Sequence, residues 1–218
     1  MALLNYTPPL DPYLQIKYQD DDIIVLDKPS GLLSVPGKAA EHADSLQTRV
    51  QRVFPSATVV HRLDMATSGL MVMAMNKDAH RQLSRQFELR QTQKRYVARI
   101  YGHPAQQSGE IDLPLICDWP NRPKQMICHQ RGKNALTHWQ VVQKEAHTTL
   151  VELQPVTGRS HQLRVHMLSL GHPIVGDRLY AHPEALAMAT RLNLHARYLA
   201  FCHPSSGEQQ AFSSQVPF

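Results

Sequence analysis

Asp64 stands in the stretch VVHRLDMATSGLMVM, residues 59–73, where two apolar runs, Val59-Val60 and Leu70 to Met73, enclose a polar insert. Arg62 precedes it by two positions. A carboxylate held between buried strands needs a cation and hydrogen-bond donors, and Arg62, Arg164 and the Thr67-Ser68-Gly69 turn are candidate suppliers. The chemistry on offer is that of a single placed carboxylate; the plain alternative is a solvated aspartate on a surface loop. A second polar concentration is TGRSHQLRVHMLSLGHP, residues 157–173. It sets two arginines and two histidines at positions 159 to 166 of what should be a packed helix.

Other chemistries find no support in the spacing. Thirteen histidines invite a metal, yet there is no H-E-x-x-H, and His161 and His166 are five apart. That separation turns them about 140° from one another on a helix. The serines of TSG and PSG lack the G-x-S-x-G elbow of a serine hydrolase. Glycine-rich phosphate loops are missing as well. Neither a metal nor a nucleotide cofactor is expected.

The elements that must position these residues can be traced by period and punctuation. DDDIIVLDKPSGLLSVPG reads as a turn, a buried strand at Ile23 to Leu26 and a turn at Pro29 to Gly31. DSLQTRVQRVFP predicts a short helix with Leu46, Val50, Val53 and Phe54 on one stripe, capped by Asp44 or Ser45 and stopped by Pro55. NKDAHRQLSRQFELRQ predicts a helix burying Ala79, Leu83 and Phe87 beneath a basic outer surface. KRYVARIYG, THWQVVQ and TLVELQPV read as strands of one large sheet. TGRSHQLRVHMLSLGHP predicts a helix from an N-cap at Ser160, with Leu163, Met167 and Leu170 facing inward and Gly171 and Pro173 as terminators.

Composition bounds the class. The 218 residues suffice for a core that needs no metal or disulfide, and fifteen prolines interrupt the chain too often for a helical bundle. A mixed α and β protein is expected. Lys and Arg outnumber Asp and Glu by 23 to 18, a mild bias towards polyanionic partners. Three scattered cysteines, Cys117, Cys128 and Cys202, support neither a disulfide framework nor a zinc knuckle, which fits a reducing cytoplasm. No apolar run reaches the roughly 20 residues of a membrane span, and the N-terminus does not read as a signal peptide. Residues 1–12 are expected to be loosely held, and no internal domain boundary is evident in 13–218.

HRLDMATSGLMVMAMNKDAH, then KRYVARIYG, then TGRSHQLRVHMLSLGHPIVGDRLY, with DDIIVLDKPSGLLSVPG before them, resemble the ordered motifs of the RluA family of pseudouridine synthases. The likeness covers about residues 18 to 203. It implies an α+β pseudouridine synthase fold: a long, mixed, largely antiparallel sheet flanked by helices, with a central active-site cleft. Many members carry an additional RNA-binding domain, but the residues before Asp22 are too few for one, so a single catalytic domain and a monomer are expected. The short N-terminal stretch and LPLICDWPNRPKQ, residues 113–125, are similar to the branch that acts on both 23S ribosomal RNA and transfer RNA. A member acting on transfer RNA only is the alternative, and a silent RNA-binding protein a more distant one.

The resemblance also implies roles. Pseudouridine formation breaks the bond between ribose C1′ and uracil N1, turns the ring and rejoins it through C5, an isomerisation that needs no cofactor. Asp64 would be the catalytic carboxylate, as nucleophile at C1′ or base at C2′. One such group suffices where a typical glycosidase needs two, because uracil leaves as a delocalised anion and stays bound. Arg164 would pair with Asp64, and Tyr96 would stack on the extruded uracil and assist proton removal from C5. Arg62 would fill the vacated stack or hold a phosphate, Leu163 would wall the pocket, and His61 would join them in binding substrate. Arg81, Arg85, Arg122 and Lys124 are general candidates for the RNA backbone.

Overall fold

The computed structural model describes residues Tyr6 to Phe218, and Met1 to Asn5 lie outside it. The described chain forms two compact units, one of residues 6–94 with 196–217, the other of residues 95–195 with Phe218.

The first unit is organised on strand β4. Strands β1 (Ile16–Gln19) and β2 (Ile23–Lys28) pair antiparallel, β2 pairs with β4 (Ser68–Ala74), and the short β3 (Thr58–Val59) also pairs with β4. β4 is buried along its whole length, which is why SGLMVMA shows no polar alternation. One face of β2 and β4, formed by Ile23, Val25, Leu70, Val72 and Ala74, packs under Ala79, Leu83 and Phe87 of helix α2 (Lys77–Glu88). Asn76 caps that helix by accepting from the Ala79 N–H at 2.9 Å.

Helix α1 (Leu46–Gln51) starts at Ser45, whose hydroxyl accepts from the Thr48 N–H while Thr48 Oγ1 accepts from the Ser45 N–H. It is shorter than the apolar stripe suggested. The helix ends before Pro55, so Val53 is 64% exposed instead of joining Leu46 and Val50 in the core. Arg49 is fully buried, forked onto Asp44 at 2.9 and 2.7 Å and set 4.7 Å from the Tyr13 ring centroid. Tyr6 donates to the Asp44 carbonyl and accepts from the Leu33 N–H. Tyr6 is thus tied to the start of α1, while Met1 to Asn5, part of the segment expected to be loose, lie outside the described residues.

In the second unit β5 (Gln93–Tyr101) pairs with β10 (Thr148–Pro155), β10 with β9 (Leu136–Lys144), and β9 with β6 (Ser108–Asp112), all antiparallel. β7 (Leu115–Cys117) and β8 (Gln125–Ile127) form a separate hairpin. Helices α3 (Gln162–Ser169) and α4 (Pro183–Ala187) follow. β11 (Leu194–Cys202) returns into the first unit, where its later residues pair with β12 (Gln209–Ser213).

The expected N-cap of α3 is displaced by one residue. His161, at φ 53°, occupies the cap in the left-handed region and makes no side-chain capping bond, while the Gln162 side chain folds back onto the Arg159 N–H of the preceding turn. Leu170 lies beyond the helix and is 37% exposed.

Gly69, at the junction of the Asp64 loop with β4, has φ 115°, and a Cβ there would collide with the Ala196 carbonyl oxygen and lie 2.6 Å from the Ala196 nitrogen. Gly69→Ala is expected to cost about 2–5 kcal/mol of stability, the joint cost of a disfavoured backbone and an overpacked site. Urea denaturation checks this, and a loss below about 1 kcal/mol would show that the junction relaxes.

Candidate active site

Asp64 lies partly buried in the loop between β3 and β4, and that loop is bound on both sides of the aspartate. Ser34 Oγ donates to the Leu63 carbonyl at 2.7 Å and accepts from the Leu63 N–H at 3.1 Å. The Met65 carbonyl accepts from the Gly31 N–H at 2.8 Å and from Lys28 Nζ at 3.1 Å. Ser30 Oγ donates to the Ala66 carbonyl at 2.7 Å, and the Thr67 N–H closes a turn on the Asp64 carbonyl. The KPSGLLS segment, which reads as no more than a turn in the sequence, is therefore the clamp of this loop. Lys28, Ser30 and Ser34 were missed as contributors; a lysine closing a buried strand was the one available signal.

His61 and Arg62 begin the same loop but differ in setting. Arg62 is exposed. His61 stacks on Phe87 with ring centroids 4.5 Å apart, and its Nε2 accepts from the Val72 N–H at 3.1 Å. Accepting requires an unprotonated Nε2. Burial lowers the His61 pKa from 6.5 to about 3, with repulsion from Lys94 as the smaller cause. His61 is thus a neutral pin between the loop, β4 and α2.

In the second unit Tyr96 lies partly buried on β5, directly opposite Leu153 of β10. Leu163 and Arg164 are adjacent on α3, and both are buried. Arg164 Nε and Nη2 fork onto Asp177 Oδ2 and Oδ1 at 2.8 and 2.7 Å. Asp177 Oδ1 also accepts from the Leu179 N–H at 2.9 Å, and the Tyr180 ring lies 5.1 Å from the guanidinium carbon. A buried arginine needs such a partner, but nothing in the sequence spacing singled out Asp177, thirteen positions away.

The polar neighbours of Arg164 explain how α3 tolerates them. Gln162 Oε1 accepts from Thr157 Oγ1 and the Arg159 N–H, while its Nε2 donates to the Leu136 carbonyl and Thr137 Oγ1. His166 Nε2 donates to the Leu113 carbonyl at 3.1 Å, so its Nδ1 accepts from Thr137 Oγ1 at 2.9 Å. Burial holds the His166 pKa below the ordinary histidine value. The sequence residues thus fall in two sets: His61, Arg62 and Asp64 share one loop of the first unit, while Tyr96, Leu163 and Arg164 belong to the second.

Among the described residues no group of three or more His, Cys, Asp or Glu is placed to hold a metal ion, and no helix is long and apolar enough to cross a membrane.

Comparison with known proteins places these motifs. The family described as RNA pseudouridylate synthase matches residues 22–169. The chain is 58% identical to the dual-specificity RNA pseudouridine synthase RluA of Escherichia coli (strain K12), over the full length of both. It is 56% identical to the enzyme of that name from Vibrio vulnificus (strain CMCP6), covering 94% of this chain and 84% of the relative. Among solved structures, human RNA pseudouridylate synthase domain containing 1 superposes with a TM-score of 0.79 at 31% identity, covering 94% of this chain and 84% of that one. The corresponding domain containing 4 gives 0.76 at 27%, covering 93% and 88%. These likenesses bear out the expected pseudouridine synthase fold, a mixed and mostly antiparallel sheet with few helices.

Two outcomes follow from the polar packing. Asp177→Ala leaves a buried guanidinium without its fork, and stability should fall by roughly 3–5 kcal/mol in chemical denaturation. For His61, the folded pKa is depressed, so its contribution is complete above about 6.5 and is lost as pH falls towards about 3, because the unfolded chain takes up the proton first. His61→Gln keeps an acceptor for Val72 and should flatten the fall in stability across that window; identical slopes for variant and wild type would refute the burial assignment.

Proposed function

Because the chain belongs to the RNA pseudouridylate synthase family and is an RNA pseudouridine synthase, an isomerase, we propose that it modifies uridines in stem-loops of both 23S ribosomal RNA and transfer RNA, including the anticodon stem-loop. Relatives named for dual specificity, 56–58% identical over at least 94% of the chain, support that substrate range. The enzyme works as a cytoplasmic monomer, with residues 13–218 as one catalytic domain and no cofactor.

Asp64 is the reactive carboxylate in this reading, attacking C1′ or removing the C2′ proton while the C1′–N1 bond breaks. Tyr96 receives the detached uracil against its ring and helps take the C5 proton once C5 has bonded to C1′. Arg164 supplies the positive charge the reaction needs, Arg62 stands in for the flipped nucleotide or holds its phosphate, and Leu163 gives the base an apolar wall. His61 serves substrate binding by fixing the start of the loop that carries Arg62. The observation that supports the carboxylate assignment is the clamp on Leu63, Met65 and Ala66, which fixes the backbone around Asp64 before any substrate arrives.

Asp64→Asn tests the reading at nearly constant side-chain volume. Tritium release from C5-labelled uridine in RNA should fall by more than about a thousandfold, roughly 4 kcal/mol of barrier, with fold and RNA affinity kept. Retention of more than about a thousandth of the wild-type rate would remove Asp64 as the essential catalytic group. Wild type should release tritium from isolated ribosomal and transfer RNA hairpins alike; an inert ribosomal hairpin would restrict the substrate to transfer RNA.

A further inference from the structure

Basic charge is concentrated on a stretch of which only Arg122 and Lys124 have been named so far, as general candidates for the RNA backbone. Residues 115–135, the β7–β8 hairpin and the turn that follows it, hold Arg122, Lys124, Arg131 and Lys133 against a single carboxylate, Asp118. At the hairpin tip Trp119 is 65% exposed, whereas the other tryptophan of the chain, Trp139, is 5% exposed in the core. The Arg122 guanidinium carbon lies 4.2 Å from the Trp119 ring centroid.

The tip is held in shape. The Asp118 N–H donates to the Lys124 carbonyl, the Asn121 N–H to the Asp118 carbonyl and the Lys124 N–H to the Asn121 carbonyl, at 2.9 to 3.0 Å. Asn121 Nδ2 engages the Asp118 carboxylate at 2.9 Å, which partly offsets the one negative charge at the tip. The base is anchored as well: the Gln125 N–H donates to Tyr180 Oη at 2.8 Å, and Leu115, Ile127 and Ala135 pack with Val165 and Tyr180. Gly132 lets the chain close beneath it, since a Cβ there would collide with the Cys128 carbonyl and lie 2.8 Å from Pro114.

An exposed indole with an arginine against it, and a lysine two residues further along the same ordered tip, has the chemistry of a stacking platform for an unpaired base with phosphates alongside. We propose that the β7–β8 hairpin is an RNA-docking surface, in which Trp119 stacks on an unpaired base of the substrate and Arg122 and Lys124 take neighbouring phosphates. It rests on the RNA synthase reading only for the identity of its ligand. The charge favours nucleic acid over a protein partner, which would be met by a contiguous apolar patch.

The probe is a transfer-RNA anticodon stem-loop of about 15 to 20 nucleotides, with a fully paired RNA of similar length beside it. Stem-loop binding should quench tryptophan emission in wild type, and Trp119→Ala should weaken that binding by about tenfold with an unchanged melting temperature. Trp119→Phe should restore affinity and abolish the quench. Arg122→Gln should lower the slope of log affinity against log salt by about 0.7 to 0.9 per lost phosphate contact, while Lys144→Ala, an exposed charge elsewhere on the unit, should not. Unquenched emission with an unmoved stem-loop affinity in Trp119→Ala overturns the proposal and leaves the tip to a protein partner. Equal losses on stem-loop and paired RNA overturn the stacking. Binding is read without turnover, so wild type that binds through Trp119 but releases no tritium upholds the docking surface and sinks the catalytic reading, and the reverse pattern does the opposite.

Discussion

The first unit depends on the burial of one ammonium group. Lys28 ends β2 with no exposed surface, and its Nζ donates to the carbonyls of Pro29, Leu32 and Met65 at 2.9, 2.7 and 3.1 Å. Taking such a charge out of water costs several kcal/mol, and the cost is offset only while the acceptors stay in place. Two of them lie in the turn that follows Lys28 and the third lies beside Asp64, so the lysine joins segments 37 residues apart. Ser30 and Ser34 repeat the connection with neutral hydroxyls. The entropy of ordering the Asp64 loop is therefore lost once, on folding, and need not be lost again when a substrate binds.

The second unit solves a related problem on a helix. Every residue of α3 from Gln162 to Met167 is buried, three of them polar, so over these positions the helix has no solvated side to which its charge could turn. Asp177 answers Arg164, Gln162 has both ends bonded, and Thr137 accepts from Gln162 while donating to His166. Among the described residues no buried side-chain nitrogen or oxygen lacks a partner. Networks satisfied in this way specify one arrangement, because any displacement leaves a buried polar atom unmet.

The pattern of the sequence carried the elements well and their polar partners poorly. β2, α2, β5, β9, β10 and α3 declare themselves through apolar period and punctuation, which are local properties. Val53 misled because an apolar stripe does not say where a helix stops, and Ser160 misled because the helix starts one residue later, from a left-handed His161 with no side-chain cap bond. Asp64 and Arg164 were legible as charges in apolar surroundings. Asp177 and Lys28 were not legible as their supports, since hydrogen bonding leaves no period and the partners are far apart along the chain.

Arg164 is constrained from two sides, and the second constraint reaches beyond the ion pair. Asp177 fixes the fork of the guanidinium, while the Tyr180 ring fixes its face. Tyr180 is itself held: its oxygen accepts from the Gln125 N–H of β8 and is hydrogen-bonded to His161 Nδ1, 2.7 Å away at the N-cap of α3. The hydroxyl thus joins the base of the basic hairpin to the start of the helix, and the ring of the same residue lies against the arginine. The two-point fork sets the direction of the guanidinium, and the ring limits its hinging out of the carboxylate plane. With an aromatic face anchored at both neighbours, its orientation is set by the hairpin and the helix together.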